Sequence, residues 1–443
     1  MKTDMEIIDW FRASTTYINA HRGKIFVVFI SGEAQQHENF RNIVFDLSLL
    51  HSLGVRMVLV QGARPQISKA LEAQGVKSLY HDDLRVTEAS SMATIMATVG
   101  QLGTQLEAML SMGVRNSPMF GSKLTLCRGN FVTGKPMGVL EGINYQYTGK
   151  VRKIQTNAIL SQLMDGNIVL LSNLGVSVTG EIFNLSAEEV ATEAALALSA
   201  KKLILLVPTP GVMNSAGELV ASMTATDAKA HAKELSQRGD AESQCVFRAL
   251  QAALRVTAKS IPRSHLISFK ENGALLLELY SREGRGSLLG QDSLDELRAA
   301  TLADISGILN LIRPLEESGI LVKRSRELLE TEIDNFRVIA LEGTIIGCAA
   351  LYPTGSSLGE VACIAIHENY RNRGLGRRML EALERTALES NMTALFTLTT
   401  EASHFFLENS YCEVTLNELP EQRKQLYNYQ RGSRVLKKLL MHN

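Results

Sequence analysis

Several short runs of consecutive apolar residues constrain the fold of this chain more than any other feature of its sequence. A serine, glycine or proline follows closely after each run, and helical patterns such as Asn39 to Leu53 separate them. Uninterrupted apolar strands that alternate with helices are typical of a parallel sheet covered on both faces. We therefore predict an α/β domain with three layers and a mainly parallel sheet over residues 1–288. The runs lie within the segments 26–30, 55–60, 166–171 and 203–207.

A different pattern begins after the glycine-rich stretch from Gly284 to Gly290, which is suited to a linker. Beyond it, a helix capped by Asp304 and a hairpin around Glu342 and Gly343 are expected, followed by a strand, a helix and another strand. This order predicts a second domain of the α+β class. We place the linker at residues 289–295 and the second domain at residues 296–443.

The N-terminal residues 1–22 predict an amphipathic helical arm, which packs either on its own domain or on a neighbouring subunit. Asp4, Glu6 and Asp9 are incompatible with a secretory signal, and no apolar run approaches the ~20 residues of a membrane span. We therefore expect a cytoplasmic protein without a membrane partner.

The charge balance and the cysteines argue against nucleic-acid-binding, disulfide-bonded and metal-binding proteins. Lys plus Arg and Asp plus Glu both total 46, so no overall basic field would attract nucleic acid. The five cysteines are scattered, without a Cys-x-x-Cys pair or a histidine cluster at metal-ligand spacing, which favours free thiols in a reducing compartment and no bound metal.

The segment from Glu360 to Leu380 carries the clearest chemical signal. An apolar strand enters a turn with the pattern Arg371-x-x-Gly374-x-Gly376, and an amphipathic helix follows at once. Glycines let the backbone approach a phosphate closely, and the free N–H groups at a helix start stabilise its charge. A glycine-rich turn can also serve backbone geometry alone, so the complete strand, turn and helix order matters more than the glycines.

This order resembles the GNAT acetyltransferase family, whose pyrophosphate loop is the same motif, and the resemblance extends from about Leu297 to the C-terminus. It implies acetyl-CoA as co-substrate, with backbone pairing between its pantetheine arm and the central strand. The implied cofactor-binding residues are Ile364, Ala365, Ile366, Arg371, Gly374, Gly376 and Arg377.

The N-terminal domain resembles the amino-acid kinases, especially the acetylglutamate kinases. The segment from Val58 to Ile67 is similar to their phosphate-side glycine loop, and 183–188 and 202–212 resemble two further segments. The lysine that these kinases carry on the first strand is Phe29 here, and an expected aspartate is Pro208. Because phosphoryl transfer needs such groups, we predict a domain kept for binding or assembly.

The two domains together resemble the bacterial N-acetylglutamate synthase family. The resemblance implies attack of the L-glutamate amine on the thioester of acetyl-CoA, the first step of arginine biosynthesis, with feedback inhibition by L-arginine and a homo-oligomer such as a hexamer. Composition and spacing alone reach only an acyl-CoA-dependent transferase. The alternatives are an acylamino-acid kinase and a non-catalytic arginine-sensing protein.

Attack by an amine requires its neutral form, so the site needs a base. Glu360 is our candidate base; the alternative is a solvated carboxylate at a strand end. Phe405 and Phe406 stand where related enzymes often carry a tyrosine acid, and Thr399 either orients the sulfur or relays a proton, or has only a packing role.

Substrate and effector residues follow from the resemblance. Carboxylate recognition favours fixed cations, and Arg324 could replace Lys323, although we interpret Arg324 as an exposed helix residue. Cys363 is expected to line the pocket and not to act as a nucleophile, because no paired histidine is evident. The implied substrate-binding residues are Leu321, Lys323, Cys363 and Arg431, and the implied L-arginine site contains Tyr17, Glu283 and Gly286. The alternative for the effector site is that these are ordinary surface or packing residues.

Overall fold

The computed structural model describes residues 4–112, 121, 124–259, 261, 263–281, 284–290, 295–341, 344–354, 357–371, 374–425 and 432–440. The chain forms two compact units, divided between Asp292 and Ser293. Among the described residues, no helix combines the length and hydropathy needed to cross a membrane.

The first unit contains an eight-stranded sheet and a smaller four-stranded sheet. Its helices are α1 (Asp4–His21), α2 (Gly32–Gln36), α3 (Phe40–Ser52), α4 (Arg64–Glu72), α5 (Ala89–Leu110), α6 (Thr156–Met164), α7 (Ala187–Ala197), α8 (Ala225–Ser236), α9 (Ala241–Thr257) and α10 (Ala274–Tyr280). Its strands are β1 (Ile25–Ile30), β2 (Arg56–Gln61), β3 (Leu79–His81), β4 (Leu84–Val86), β5 (Leu126–Cys127), β6 (Val132–Pro136), β7 (Val139–Leu140), β8 (Ile143–Asn144), β9 (Gly149–Ile154), β10 (Ile168–Leu171), β11 (Leu174–Val176), β12 (Ile182–Asn184), β13 (Lys202–Val207), β14 (Ser222–Met223), β15 (Arg263–Ser268) and β16 (Gly286–Gly290).

The predicted parallel sheet is confirmed. Its order is β14-β16-β15-β13-β1-β2-β10-β5, and every pair is parallel except β15 with β16. Alternate residues of β1 enter two different cores: Val27 and Phe29 pack on the side of α7 and α9, whereas Val28 and Ile30 pack on the side of α3 and α10. Because both faces are buried, the central strands β1, β2, β10 and β13 are largely apolar, with polar residues only at their ends.

The glycine-rich stretch predicted as a linker is instead largely a strand. Gly286–Gly290 forms β16, which pairs antiparallel with β15 from Gly286 opposite Ile267 to Gly290 opposite Arg263. A Cβ at Gly286 would lie 2.6 Å from the carbonyl oxygen of Leu266, so this glycine is needed for close strand pairing. The linker prediction of 289–295 therefore overlaps β16 at its start.

The second unit is built around a seven-stranded mixed sheet with the order β17-β18-β19-β20-β21-β23-β22. In chain order its elements are β17 (Asp295–Ala299), α11 (Ile305–Glu317), α12 (Arg326–Glu332), β18 (Phe336–Leu341), β19 (Thr344–Thr354), β20 (Leu358–Ile366), α13 (Leu375–Glu389), β21 (Ala394–Thr399), α14 (Ser403–Glu408), β22 (Cys412–Val414), α15 (Glu421–Gln425) and β23 (Arg434–Leu439). Helix α13 packs on one face of the sheet, and α11 and α12 pack on the other. Only β20 and β21 pair in parallel; the other neighbours are antiparallel.

Candidate active site

The two parallel strands of the second unit separate part-way along their length. Pairing of β20 with β21 covers only Leu358 to Glu360, opposite Ala394 to Phe396. Strand β20 continues to Ile366 and β21 to Thr399, and beyond Glu360 none of their described residues pair with each other. Because backbone N–H and C=O groups require partners, the gap between the strands can accept an extended ligand as if it were another strand.

A bulge in β20 lies beside this gap. Cys363 has a φ of +54°, and the register with β19 shifts between Cys348 and Ala350. The side chains of Cys363 and Ala365 enter the core beneath α11, whereas Ile364 packs in the core beneath α13. The bulge therefore redirects the strand where the gap opens, as bulges near active sites commonly do.

The predicted phosphate-binding turn leads into α13 as expected, but its two glycines have different roles. Gly374 has a φ of +72°, which favours glycine, and no side chain caps the helix there. Gly376 is constrained by packing, since a Cβ would lie 3.2 Å from the ring of Phe405. Arg371 is exposed beside the turn, whereas the Nε of Arg377 donates to Glu381 on its own helix at 3.0 Å.

Glu360 lies at the point where the strands separate and is not the solvated carboxylate of the alternative interpretation. Its exposed fraction is 8%, and its Oε1 accepts from Nη2 of Arg423 at 2.8 Å. It is directly opposite Tyr352 on β19. A buried carboxylate with a fixed guanidinium partner is held in one orientation, which suits a group that must receive a proton at a defined place.

Thr399 ends β21 on the other side of the gap. Its Oγ1 accepts from the backbone N–H of Ala402 at 2.9 Å, so the hydroxyl organises the turn into α14. The hydroxyl proton remains available for donation. The rings of Phe405 and Phe406 pack edge to face, and neither supplies an acid at this place.

The segment before α12 contains the cations predicted to hold a substrate carboxylate. Lys323 is exposed, and Leu321 is half-buried against the core beneath α11. Our interpretation of Arg324 as an exposed helix residue is wrong: Ser325 caps α12, the helix begins at Arg326, and the side chain of Arg324 is half-buried beside Tyr352.

Two predicted residues, Arg431 and Glu283, lie outside the described residues. Of the other residues predicted for the effector site, Tyr17 on α1 packs against the core of the first unit, and the N–H of Gly286 donates to Oε2 of Glu278 at 2.8 Å. The Oε1 of the same carboxylate is 2.7 Å from Nδ1 of His265.

The first unit has a cavity of about 580 Å³, which is lined in part by Gly62 from the segment that resembles the phosphate-side loop of the kinases. Phe29 lines it, and two of its arginines are paired with carboxylates: Nη2 of Arg64 is 2.6 Å from Oδ1 of Asp83, and Arg248 bridges Asp83 and Glu188 at 3.2 Å each. Because both arginines are already paired with carboxylates, neither is available to bind a phosphate.

The glycine loops of this unit are also tied to its own side chains. Nε2 of Gln66 donates to the carbonyl oxygen of Gly32 at 2.7 Å, and Nε2 of Gln35 donates to that of Gly62 at 2.6 Å. Pro65 and Gln66 occupy the space in which a Cβ on Gly32 would lie. These contacts fill the space beside Gly32 and tie the two loops together.

The structure brings together one group that the sequence did not suggest. Ligand atoms of His81, Asp82 and Glu141 lie within 4.8 Å of one another. Asp82 and Glu141 are exposed, and Nδ1 of His81 is 3.0 Å from the hydroxyl of Tyr145. An exposed acidic group of this kind is common without a cation and gives no reason to revise the expectation of a metal-free enzyme.

Comparisons with known proteins agree with the two folds. The amino acid kinase family model matches residues 24–262, and the acetyltransferase (GNAT) family model matches residues 306–411. The chain is 46% identical over 432 residues to the amino-acid acetyltransferase of Escherichia coli strain K12, covering 97% of both chains, and 46% identical over 436 residues to that of Ectopseudomonas mendocina, covering 98% of this chain and 100% of the relative. A crystal structure of N-acetylglutamate synthase from Neisseria gonorrhoeae complexed with coenzyme A and L-arginine has 32% identity and a TM-score of 0.84, covering 98% of this chain and 99% of that one.

Proposed function

Because this chain belongs to the amino-acid acetyltransferase family, with an amino-acid-kinase domain joined to a GNAT domain, we propose that it transfers acetyl from acetyl-CoA to the α-amine of L-glutamate. The observation that carries the proposal is the gap between β20 and β21, which opens next to the buried carboxylate of Glu360. The acceptor and the regulation by L-arginine are suggested by the Neisseria gonorrhoeae enzyme.

We assign the pantetheine arm of acetyl-CoA to the open edge of β20, where the main chain of Ile364, Ala365 and Ile366 would pair with its amides. The diphosphate would then lie at the start of α13, where free N–H groups and the helix dipole favour negative charge. Arg371 is the better candidate for a cation at the diphosphate, because Arg377 already pairs with Glu381.

Glu360 is assigned as the base that accepts the proton of the attacking amine, directly or through water. Arg423 fixes the orientation of this carboxylate. Backbone N–H groups near Cys363 and Ile364 would stabilise the oxyanion of the tetrahedral intermediate. The hydroxyl of Thr399 would donate to the departing thiolate or orient it. Its Oγ1 already accepts a hydrogen bond from the N–H of Ala402, which fixes the position of the hydroxyl.

The test is thiol release from acetyl-CoA with a panel of amino acids. Wild-type enzyme should prefer L-glutamate, and Glu360→Gln should lower kcat by about 100-fold or more, the usual contribution of a general base. Glu389→Gln, an exposed change on α13, is the matched control. A preference for another amine would overturn the assigned acceptor, and an unchanged kcat in Glu360→Gln would overturn the assigned base.

We propose L-arginine as the feedback inhibitor, bound in the first unit near Tyr17, Glu283 and Gly286. Support comes from the packing of α1 on α10: Oγ of Ser14 donates to the carbonyl oxygen of Tyr280 at 3.0 Å, next to the segment that leads to Gly286. A ligand that contacts both α1 and the segment between Tyr280 and Gly286 would couple the N-terminal arm to that segment. Loss of arginine inhibition in Tyr17→Ala, with basal activity retained, is the expected result.

We propose a homo-oligomer such as a hexamer, because the first part of α1 exposes apolar side chains. Ile8, Trp10 and Phe11 expose 42%, 37% and 64% of their surfaces, although the inner part of the helix packs on its own unit. Apolar side chains grouped on one exposed helix favour a protein partner, and a second copy of the chain supplies one. We place the enzyme in the cytoplasm, which suits its five free cysteines.

A further inference from the structure

Two cysteines lie side by side beneath the bulge of β20. Cys348 on β19 is completely buried, and Cys363 exposes 4% of its surface. Both side chains enter the core beneath α11. The Sγ of Cys348 is 3.7 Å from the carbonyl oxygen of Cys363, and the two thiols also hydrogen-bond to each other. The sulfur atoms are therefore neighbours at a place that only a small reagent can reach.

The bulge brings Cys363 to this position. Strand β19 has one residue between Cys348 and Ala350 where β20 has two, Cys363 and Ile364. Cys363 takes up the extra length with a φ of +54°. The contact between the thiols and the direction of the amides that follow Cys363 thus depend on the same distortion of the strand.

The two thiols differ in reactivity. The hydrogen bond from Cys348 lowers the pKa of Cys363, and the charge of Arg324 lowers it further, whereas burial opposes both effects. The pKa of Cys348 is raised, because its proton is held in that hydrogen bond and the thiol is buried. Since the thiolate is the nucleophilic form of cysteine, Cys363 is the more reactive of the two. Cys348 is then the adjacent thiol that can complete a disulfide.

We propose that Cys363 and Cys348 form a reversible oxidation site, where hydrogen peroxide closes a disulfide that stops acetyl transfer. The thiolate of Cys363 attacks a peroxide oxygen: the S–O bond forms, the O–O bond breaks, and the departing hydroxide takes up a proton as water. The sulfur of Cys348 then attacks the sulfenic acid, the S–S bond forms, and the hydroxyl leaves with the proton of Cys348 as a second water. Two thiols are oxidised, one peroxide is reduced, and a thiol reductant reverses the change.

The disulfide should disturb the assigned active site, a consequence that rests on the proposed function. An S–S bond is about 2 Å long, so the sulfur atoms must approach from their hydrogen-bonded positions. Cys348 is fixed within a fully buried part of β19, whereas Cys363 belongs to the bulge, so the bulge is the part that must move. The N–H groups near Cys363 and Ile364, which we assign to the oxyanion, would move with it.

The test measures the thiols and the rate on the same sample of full-length enzyme. After treatment with hydrogen peroxide, catalase removes the excess, and acetyl transfer to L-glutamate is followed by the loss of thioester absorbance. The protein is then unfolded, alkylated with iodoacetamide and digested with trypsin. Both cysteines fall in one tryptic peptide, residues 338–371, which contains no other cysteine. Cys348→Ala removes the partner thiol, and Cys412→Ala, which removes an exposed cysteine of the same unit, is the matched control.

After peroxide the wild-type peptide should take up no alkyl group and should be lighter than the reduced peptide by two hydrogen atoms. The rate should fall about 100-fold or more, the usual effect of losing one oxyanion donor. Dithiothreitol should restore both the alkylation and the rate, and Cys412→Ala should behave as wild type. In Cys348→Ala, peroxide should leave a sulfenic acid on Cys363, which dimedone traps.

Two results would overturn the proposal: a peptide that still takes up two alkyl groups after peroxide, or a disulfide that forms without lowering the rate. Both are read from wild type, so they stand even if Cys348→Ala folds poorly. Poor transfer to L-glutamate before any peroxide is added would instead contradict the proposed function, and the formation of the disulfide would be unaffected.

Discussion

Asp46 should make the first unit less stable as the pH rises, and replacing it should remove that effect. It lies on α3 with an exposed fraction of 8%, and burial raises its pKa from 3.8 to about 7. In the unfolded chain the carboxyl ionises at its ordinary pKa. Folding therefore favours the protonated form, and the stabilising contribution present below pH 3.8 is lost as the pH rises through about 7.

The size of the effect follows from the difference between the two pKa values. One pKa unit corresponds to about 1.4 kcal/mol, so a shift from 3.8 to about 7 costs about 4 kcal/mol above pH 7. At pH 5 only the interval from 3.8 to 5 contributes, or about 2 kcal/mol. Asp46→Asn carries no charge at either pH, so its stability relative to wild type should increase by about 2–3 kcal/mol between pH 5 and pH 8.

Urea unfolding at the two pH values measures this difference. The single tryptophan, Trp10, lies on α1 of the same unit, so its fluorescence follows the relevant transition. Asp165→Asn, an exposed aspartate of that unit, controls for the general effect of removing a negative charge. If Asp46→Asn and wild type showed the same pH dependence, burial would not be holding this carboxyl in its neutral form, and the reasoning would be refuted.

Three further changes test other parts of the structure. Arg423→Met should leave Glu360 buried without its partner, which should lower the stability of the second unit by about 1–3 kcal/mol and also lower kcat. Arg423→Lys should recover part of both losses, and thermal unfolding and steady-state rates measure them. Gly374→Ala forces a side chain into a φ of +72° and should cost about 1–2 kcal/mol while raising the KM for acetyl-CoA, which kinetic measurement decides. Phe29→Lys should not yield ATP-dependent phosphorylation of N-acetylglutamate, because Arg64 and Arg248 remain paired with carboxylates, and a phosphorylation assay checks this. The same change should destabilise the first unit by burying a charge, which thermal unfolding measures.

The sequence predicts the first unit well because its signal is local. Strands buried on both faces need apolar side chains at every position, so runs such as 26–30 and 203–207 are visible without any knowledge of their partners. The failure at Gly286–Gly290 has the opposite cause. Its glycines are required by the close approach of β15, a contact between distant residues, and read alone they are typical of a linker.

In the candidate site, too, the features set by local sequence were predictable and those set by long-range contacts were not. The turn before α13 is a contiguous motif and was predictable, whereas the ion pair of Glu360 with Arg423 joins residues that are 63 positions apart. The position of Arg324 outside the helix was predictable in principle, because the sequence carries a local signal for it. Ser325 accepts from the N–H of Leu328 as an N-cap, and a serine at that place predicts that the helix begins after it, leaving Arg324 free to turn inward.

The bulge at Cys363 shows why a correct strand prediction still leaves the chemistry undetermined. Regular alternation along β20 would keep odd-numbered side chains on one face, yet Val361 packs beneath α13 and Cys363 beneath α11. The extra residue is taken up at Cys363 in a left-handed conformation that a cysteine adopts only when packing compensates its cost of about 1–2 kcal/mol. Its buried contact with Cys348 provides part of that packing. Without the bulge the amides that follow would point elsewhere along the gap, so the register of Ile364 to Ile366 toward a ligand depends on long-range packing that no local pattern encodes.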